Sequence, residues 1–158
     1  MFLKLYDKIS SKLTLLKFKL LYGKRIEFGK NVNFRGKVRI RIDKNAKLVI
    51  KDNCFFNNGC SINVKENVVI GKDTIFGEDI KIYDHNHVFN KETLIRKSGY
   101  CVSPITIGDN TWICSNVVIL KGVTIGDNCV IAANEIVKEN IKDNILFVDG
   151  KQNKIKNK

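Results

Sequence analysis

Residues 107–142 read "IGDNTW", "ICSNVV", "ILKGVT", "IGDNCV", "IAANEI" and "VKENIK". Ile107, Ile113, Ile119, Ile125, Ile131 and Val137 recur six apart without a slip, and glycine or another small residue often follows. The fifth position of each unit, Thr111, Val117, Val123, Cys129, Glu135 and Ile141, is mostly compact. A helix of period 3.6 drifts off a six-residue beat and a simple strand alternates with period two, so neither accounts for the pattern. Short strands separated by regular turns do, and a fixed internal period is the signature of stacked repeats. The beat continues upstream in looser form. Ile50, Phe56 and Ile62 make one series, Ile70, Phe76 and Ile82 another after a slip of two residues, and Ile26, Val32 and Val38 a third. Gly71, Gly77, Gly108, Gly122 and Gly126 suit corners that need positive φ or close backbone approach. Cys54, Cys60 and Cys129 read as small apolar corner fillers.

A chain of 158 residues with 44% hydrophobic content suits one core-forming domain. No apolar run approaches the roughly 20 residues that span a bilayer. The start "MFLKLYDKISSKLTLLKFKLLYG" scatters lysines through its apolar stretch, whereas a signal peptide keeps a basic region apart from a clean apolar one, so the expectation is a cytoplasmic protein. Five cysteines without a CxxC pair are a poor disulfide framework and are expected to be reduced. The net charge of +12 is unevenly placed. Residues 1–25 hold seven basic side chains against one acid, Asp7, and the tail "KQNKIKNK" adds four lysines. Nucleic acid, an anionic membrane surface and a phosphorylated small molecule all suit such a charge. The rival reading from another class is a basic nucleic-acid or membrane-binding module without catalysis, which the charge favours and which the lack of interleaved aromatic and basic residues on the repeats disfavours.

Two segments depart from the beat. Residues 1–22 place Phe2, Leu3, Tyr6, Ile9, Leu13, Leu16 and Leu20 at helical spacing with lysines largely elsewhere, which predicts an amphipathic helix ahead of a repeat domain over 23–158. It would cap the open end of the solenoid, pack on a neighbouring subunit or make peripheral contact with a membrane; capping or packing is the expectation. Residues 84–103 read as a protruding loop that ends where Pro104 returns the chain to a strand.

At the root of that loop stands "IYDHNHVF", Ile82–Phe89, with both histidines of the chain. His-x-His puts two imidazoles on one side of a strand, and Asp84 or Cys101 could join them, but a catalytic zinc needs three convergent ligands. No metal is expected. Two imidazoles where a long loop leaves a rigid scaffold suit proton transfer, since such loops often carry catalytic groups. The alternative is that they merely bind the loop to a corner.

The run "IGDNTWICSNVVILKGVTIGDNCVIA" resembles the hexapeptide-repeat acyltransferases, across roughly residues 26–155. That resemblance implies an all-β fold, a left-handed parallel β-helix with three hexads per coil, so that Ile107, Ile113 and Ile119 would stack on Ile125, Ile131 and Val137. It also implies a homotrimer with acetyl-CoA held in a groove between subunits. The histidine segment is similar to that of the maltose, galactoside and nodulation-factor acetyltransferase branch, where the base stands five residues after an isoleucine. Matched to Ile82-Tyr83, that position is His87, with His85 as support. "FFNN" resembles the branch's acceptor-binding segment and implies a role for Asn58, joined by Tyr83 and Asp84. By the same likeness Ser115, Ala132 and Ala133 border the donor, while Lys138 and Lys154 meet CoA.

The implied reaction is acetyl transfer from acetyl-CoA to a saccharide hydroxyl, in the making of a surface polysaccharide such as capsule or lipopolysaccharide. N-acetylation of an amino-sugar nucleotide is the alternative on the same scaffold. A hydroxyl is a weak nucleophile, whereas the thioester is already activated. One base and stabilisation of the developing oxyanion therefore suffice, with no acyl-enzyme on a cysteine.

Overall fold

A computed structural model describes residues 2–155, with side chains from residue 5 onward; Met1, the side chains of Phe2, Leu3 and Lys4, and residues 156–158 of the tail lie outside the described residues. After helix α1 (Phe2–Tyr22) the chain winds through short parallel strands. The first coil holds β1 (Ile26–Phe28), β2 (Asn33–Phe34) and β3 (Arg39–Ile42), and the second β4 (Lys47–Ile50), β5 (Phe55–Phe56) and β6 (Ser61–Val64). The third holds β7 (Asn67–Ile70), β8 (Ile75–Phe76) and β9 (Lys81–Tyr83). The hairpin of β10 (His85–His87) and β11 (Tyr100–Val102) interrupts it. Winding resumes with β12 (Ile105–Ile107), β13 (Trp112–Ile113) and β14 (Val118–Ile119), then β15 (Thr124–Ile125), β16 (Val130–Ile131) and β17 (Ile136–Val137). β18 (Ile145–Val148) and an antiparallel β19 (Lys151–Lys154) close the far end.

Each third strand lies on the same face, giving a three-sided solenoid. We denote as face A the sheet β1-β4-β7-β12-β15, as face B the sheet β2-β5-β8-β13-β16-β18-β19, and as face C the sheet β3-β6-β9-β14-β17. The expected stacking holds: Ile107 pairs with Ile125, Ile113 with Ile131 and Ile119 with Val137. The first coil differs from the sequence expectation by two residues. Ile50, Phe56 and Ile62 stack on Phe28, Phe34 and Ile40 rather than on Ile26, Val32 and Val38. Ile26 is nonetheless buried, because residues i and i+2 of a strand share a face, and β4, β7 and β12 of face A likewise turn two side chains inward.

The core is a column of such side chains, including an aromatic stack of Phe34, Phe56 and Phe76 with centroid spacings of 5.2 and 4.4 Å. Each fully buried isoleucine or phenylalanine stabilises the solenoid by about 1.5–3 kcal/mol relative to its exposed state.

The corners divide their demands between residue types. Positive φ falls mainly on asparagine and aspartate, among them Asn53, Asn110, Asn116, Asn128 and Asn134, whose short polar side chains tolerate the left-handed region. Of the glycines expected at corners, Gly122 has positive φ, while Gly108 serves close approach: a Cβ there would lie 2.6 Å from the Gly126 backbone. Side-chain oxygens then tie coil to coil, as where Asp127 Oδ1 accepts from Asp109 N at 2.7 Å.

Helix α1 packs on the first coil, with Phe18 against Phe34 and Ser11 Oγ accepting from Phe34 N at 2.9 Å. Tyr22 donates its hydroxyl hydrogen to Ile40 O at 2.7 Å. The face used differs from the amphipathic stripe in the sequence. Ser11, Leu15, Phe18 and Tyr22 meet the solenoid, whereas Tyr6, Ile9, Leu13, Leu16 and Leu20 face solvent. A buried serine, a half-buried tyrosine and a buried phenylalanine override the stronger aliphatic periodicity.

Candidate active site

Where faces C and A meet, the six-residue beat is repeatedly lengthened. The inward positions Ile40 and Ile50 are ten residues apart, Ile62 and Ile70 eight, and Ile82 and Ile107 twenty-five, against six for Ile119 and Ile125. All the extra chain therefore emerges along one edge. Both histidines stand there.

Asp84 organises this edge. It is fully buried, and its carboxylate accepts from the backbone N–H of Lys65 at 2.9 and 3.0 Å and of Glu66 at 2.8 Å. The same carboxylate stands 3.0 Å from His85 Nδ1. Its backbone oxygen accepts from Ser103 N at 2.8 Å, so one residue fastens the start of the insertion, its end and the preceding coil. Charge-assisted bonds of this kind are roughly twice as strong as neutral ones. Asp84 has no surface left for an acceptor and reaches the site through His85 instead.

The insertion is only partly a loop. Its stem is antiparallel, with His85 opposite Val102, Asn86 opposite Cys101 and His87 opposite Tyr100, and Val88 N donates to Gly99 O at 3.1 Å. Both imidazoles contact Tyr100, with centroid distances of 5.4 Å for His85 and 4.5 Å for His87. Tyr83 meets His85 edge-on at 6.2 Å. The His85 side chain is 14% exposed, while His87 is open to solvent and its ring makes no hydrogen bond among the described residues. Lys65 Nζ lies 3.7 Å from the Tyr100 centroid and 2.7 Å from Asp43 Oδ2. Arg41, Asn63, Lys65, His85 and Tyr100 border a polar cleft of about 180 Å³. Sequence reasoning missed Arg41, Asn63, Lys65 and Tyr100. The register could have found two of them, because Arg41, Asn63 and Tyr83 stack as outward positions of face C.

The residues expected to hold the donor occupy another face. A groove of about 490 Å³ on face B is bordered by Phe55, Asn57, Ile75, Trp112, Ser115 and Ala133. Ser115 and Ala133 thus share a wall, with Ala132 adjoining at the same turn. Lys138 follows β17 on face C, and Lys154 pairs with Ile145 at the far end of β18, so neither lysine joins them. Asn57 borders this groove; Asn58 instead accepts from Lys37 N at 2.8 Å as a corner tie. Face C separates the groove from the histidines by on the order of 15–20 Å, at about 3.3 Å per residue over residues 78–84.

Among the described residues no three His, Cys, Asp or Glu side chains converge to hold a metal ion. The buried cysteines act as corner fillers: Cys54 Sγ donates to Gly71 O at 3.0 Å and Cys60 Sγ to Gly77 O at 3.3 Å. Burial pushes both thiols up to about 11.

Comparison with known proteins bears on the fold. Residues 104–134 match the model of the bacterial transferase hexapeptide, six repeats. The chain is 33% identical over 129 residues to "Putative lipopolysaccharide biosynthesis O-acetyl transferase WbbJ" of Escherichia coli (strain K12), a match covering 75% of this chain and 65% of that relative. The chain thus spans less than two thirds of that relative's length. Among solved structures, the hexapeptide-repeat containing acetyltransferase VCA0836 of Vibrio cholerae superposes with a TM-score of 0.68 at 26% identity, covering 82% of this chain and 76% of that one. A galactoside acetyltransferase in complex with coenzyme A superposes with a TM-score of 0.62 at 32% identity, covering 83% and 64%. The stacked coils have the left-handed parallel β-helix fold of such acetyltransferases.

Proposed function

Because the chain belongs to the bacterial hexapeptide-repeat transferase family, we propose that it transfers an acetyl group from acetyl-CoA to a hydroxyl of a saccharide destined for a surface polysaccharide. The observation that carries the proposal is the pair of imidazoles at the root of the one long insertion on a rigid solenoid, beside a polar cleft. The names of the similar proteins, a lipopolysaccharide O-acetyl transferase and a galactoside acetyltransferase with coenzyme A, support donor and acceptor class.

In this proposal His87 is the base. Its exposed imidazole nitrogen takes the acceptor's hydroxyl proton as the oxygen attacks the thioester carbonyl carbon. Collapse of the tetrahedral adduct breaks the C–S bond, and the imidazolium returns the proton to the departing thiolate. Base catalysis of this kind contributes about 10²–10⁴-fold. The small side chains of the face-B groove, Ser115 and Ala133, leave room for the thin pantetheine arm beside Trp112.

One chain cannot offer this groove and its own histidine edge to the same substrate pair, since face C intervenes. A neighbouring copy brings its edge against the groove in a cyclic homotrimer, which closes with one repeated interface. A second assignment of the base has its own support: the Asp84 contact fixes His85 with Nδ1–H toward the carboxylate and Nε2 free to accept a proton. Release of CoA thiol from acetyl-CoA, measured across free sugars, nucleotide sugars and lipid-linked saccharides with mass analysis of the product, tests the proposal. Thiol release with no acceptor at a rate equal to that with every acceptor would refute it. An amide product on an amino sugar would replace it with N-acetylation.

A further inference from the structure

The described part of α1 carries two apolar faces and the solenoid covers one of them. At 100° per residue, Ser11, Leu15, Phe18 and Tyr22 fall within an arc of about 60°, the side that packs on the first coil. Leu5, Tyr6, Ile9, Leu13, Leu16 and Leu20 fall within about 100° on the opposite side. All six are more than half exposed, from 51% at Ile9 to 77% at Leu20. A stripe of six large apolar side chains at one end of a protein is larger than scattered surface residues account for.

Charge selects the occupant. Lys8, Lys12 and Lys19 border one side of the stripe and Lys17 the other, all exposed. The one acid of the helix, Asp7, sits 3.6 Å from Arg35 and off the stripe. Laying the stripe against a second copy would set these lysine rows beside one another, and like charges at close range oppose association. An aliphatic stripe also offers nothing to nucleic acid. A bilayer surface with anionic headgroups satisfies both halves of the pattern: the aliphatic chains enter the headgroup–acyl boundary while the lysine stems reach outward to the phosphates. No helix is long and apolar enough to cross a membrane among the described residues, which leaves α1 lying in the surface plane.

We propose that α1 docks the protein on an anionic lipid surface through Leu5, Tyr6, Ile9, Leu13, Leu16 and Leu20, with Lys8, Lys12, Lys17 and Lys19 as its charged border. The contact is independent of the catalytic proposal, because it needs neither histidine nor groove. It places the end of the solenoid beside lipid, where a lipid-linked acceptor would be met.

Co-sedimentation of the full-length protein with vesicles tests this. Vesicles with about 30% phosphatidylglycerol should retain the protein, pure phosphatidylcholine should retain it at least about tenfold less, and retention should fall several-fold between about 50 and 500 mM salt. Ile9→Gln/Leu13→Gln/Leu16→Gln, which leaves the charge unchanged, should lower retention about tenfold or more. Lys8→Gln/Lys12→Gln/Lys19→Gln should lower it and flatten the salt dependence. Neither variant should lose thermal stability, since none of these side chains packs on the core. Absence of retention on anionic vesicles, or undiminished retention of the first variant, overturns the proposal. So does a concentration-dependent doubling of mass in light scattering that the first variant abolishes while vesicles bind neither form, which would assign the stripe to a second copy. Vesicle binding without any acetyl transfer would leave this inference standing and remove the catalytic one.

Discussion

The coils after residue 105 and the coils before it are built from the same units, yet they differ along a single edge. Downstream, face C passes to face A in six residues with no slack, as between Ile119 and Ile125. Upstream, the same passage takes ten, eight and twenty-five residues between inward positions. Faces and the other two corners keep their spacing in both parts. A solenoid can therefore add chain at one corner without disturbing its core, because each strand is held by the coils on either side. The histidines and their polar cleft gather at the lengthened corner, whereas the regular corners repeat asparagine, aspartate and glycine turns over small buried fillers.

The largest expected effect tests the lengthened edge. His87→Ala should lower kcat by about 10²–10⁴-fold with little change in acetyl-CoA affinity, because the donor groove lies on another face. His85→Ala should cost less and act mainly through acceptor KM. The exposed His87 can be lost without a change in melting, whereas His85→Ala removes a partner of the buried Asp84 carboxylate and should lower stability modestly. Steady-state kinetics beside thermal melts check this, and the reverse order of the two histidines would transfer the base to the Asp84–His85 pair.

The regular part should answer in the opposite sense. Ile113→Ala empties a fully buried position between Phe76 and Ile131 and should cost about 2–5 kcal/mol of stability. Activity per folded molecule should hardly change. Chemical denaturation with turnover measured on the folded fraction separates the two quantities. A variant of normal stability and lost turnover would show that the core column and the site are not independent.

This division also explains what the sequence disclosed. Ile107 through Val137 disclosed stacked short strands because neither a helix nor a simple strand keeps a six-residue period, and the family resemblance supplied the three hexads per coil from which the stacking partners followed. The first coil was legible only to within two residues, because Ile26 and Phe28 both turn toward the core and either can be taken as the start of the beat. The histidines were found by their rarity and their place at the loop root. Lys65 and Tyr100 were not, since they are thirty-five residues apart in sequence and only the folded edge brings Lys65 Nζ over the Tyr100 ring. The packed face of α1 was missed for a related reason: Ser11 is polar in any periodicity, and only the Phe34 N–H makes it an inward residue.

Asp84→Asn lies between the two regions and should touch both quantities. Oδ2 alone accepts from the backbone N–H of both Lys65 and Glu66, so an amide oxygen in its place keeps those two bonds uncharged and weaker, while the NH₂ group replaces the oxygen that now faces His85 Nδ1. The expected cost is about 1–3 kcal/mol. The hairpin stem is fastened by the same residue, so acceptor KM should rise as well. Hydrogen exchange should locate the loosening at residues 65–66 and 84–103. Unchanged exchange there would mean that the stem is held by its own pairing.

The smallest effect concerns the corners that do not lengthen. Cys54 and Cys60 lie in the upstream coils and Cys129 in the downstream ones, all away from the C-to-A edge, and all are buried. Burial is the leading cause that lifts the first two thiols from 9.0 to about 11, and it lifts Cys129 as well. The folded state therefore holds these protons more tightly than the unfolded chain. For Cys54 and Cys60 the stabilising contribution is complete below pH 9 and is lost as pH rises through about 11. At pH 8 a thiol reagent should label exposed Cys101 in the native protein and reach Cys54, Cys60 and Cys129 only on unfolding, which peptide mass analysis reads directly. Equal protection of Cys54 and Cys129 is the informative outcome, because it confines the irregularity to one edge. If Cys54 and Cys60 were labelled in the folded state while Cys129 stayed protected, the upstream coils would be loose throughout, and the contrast would be one of two halves rather than of one edge against two.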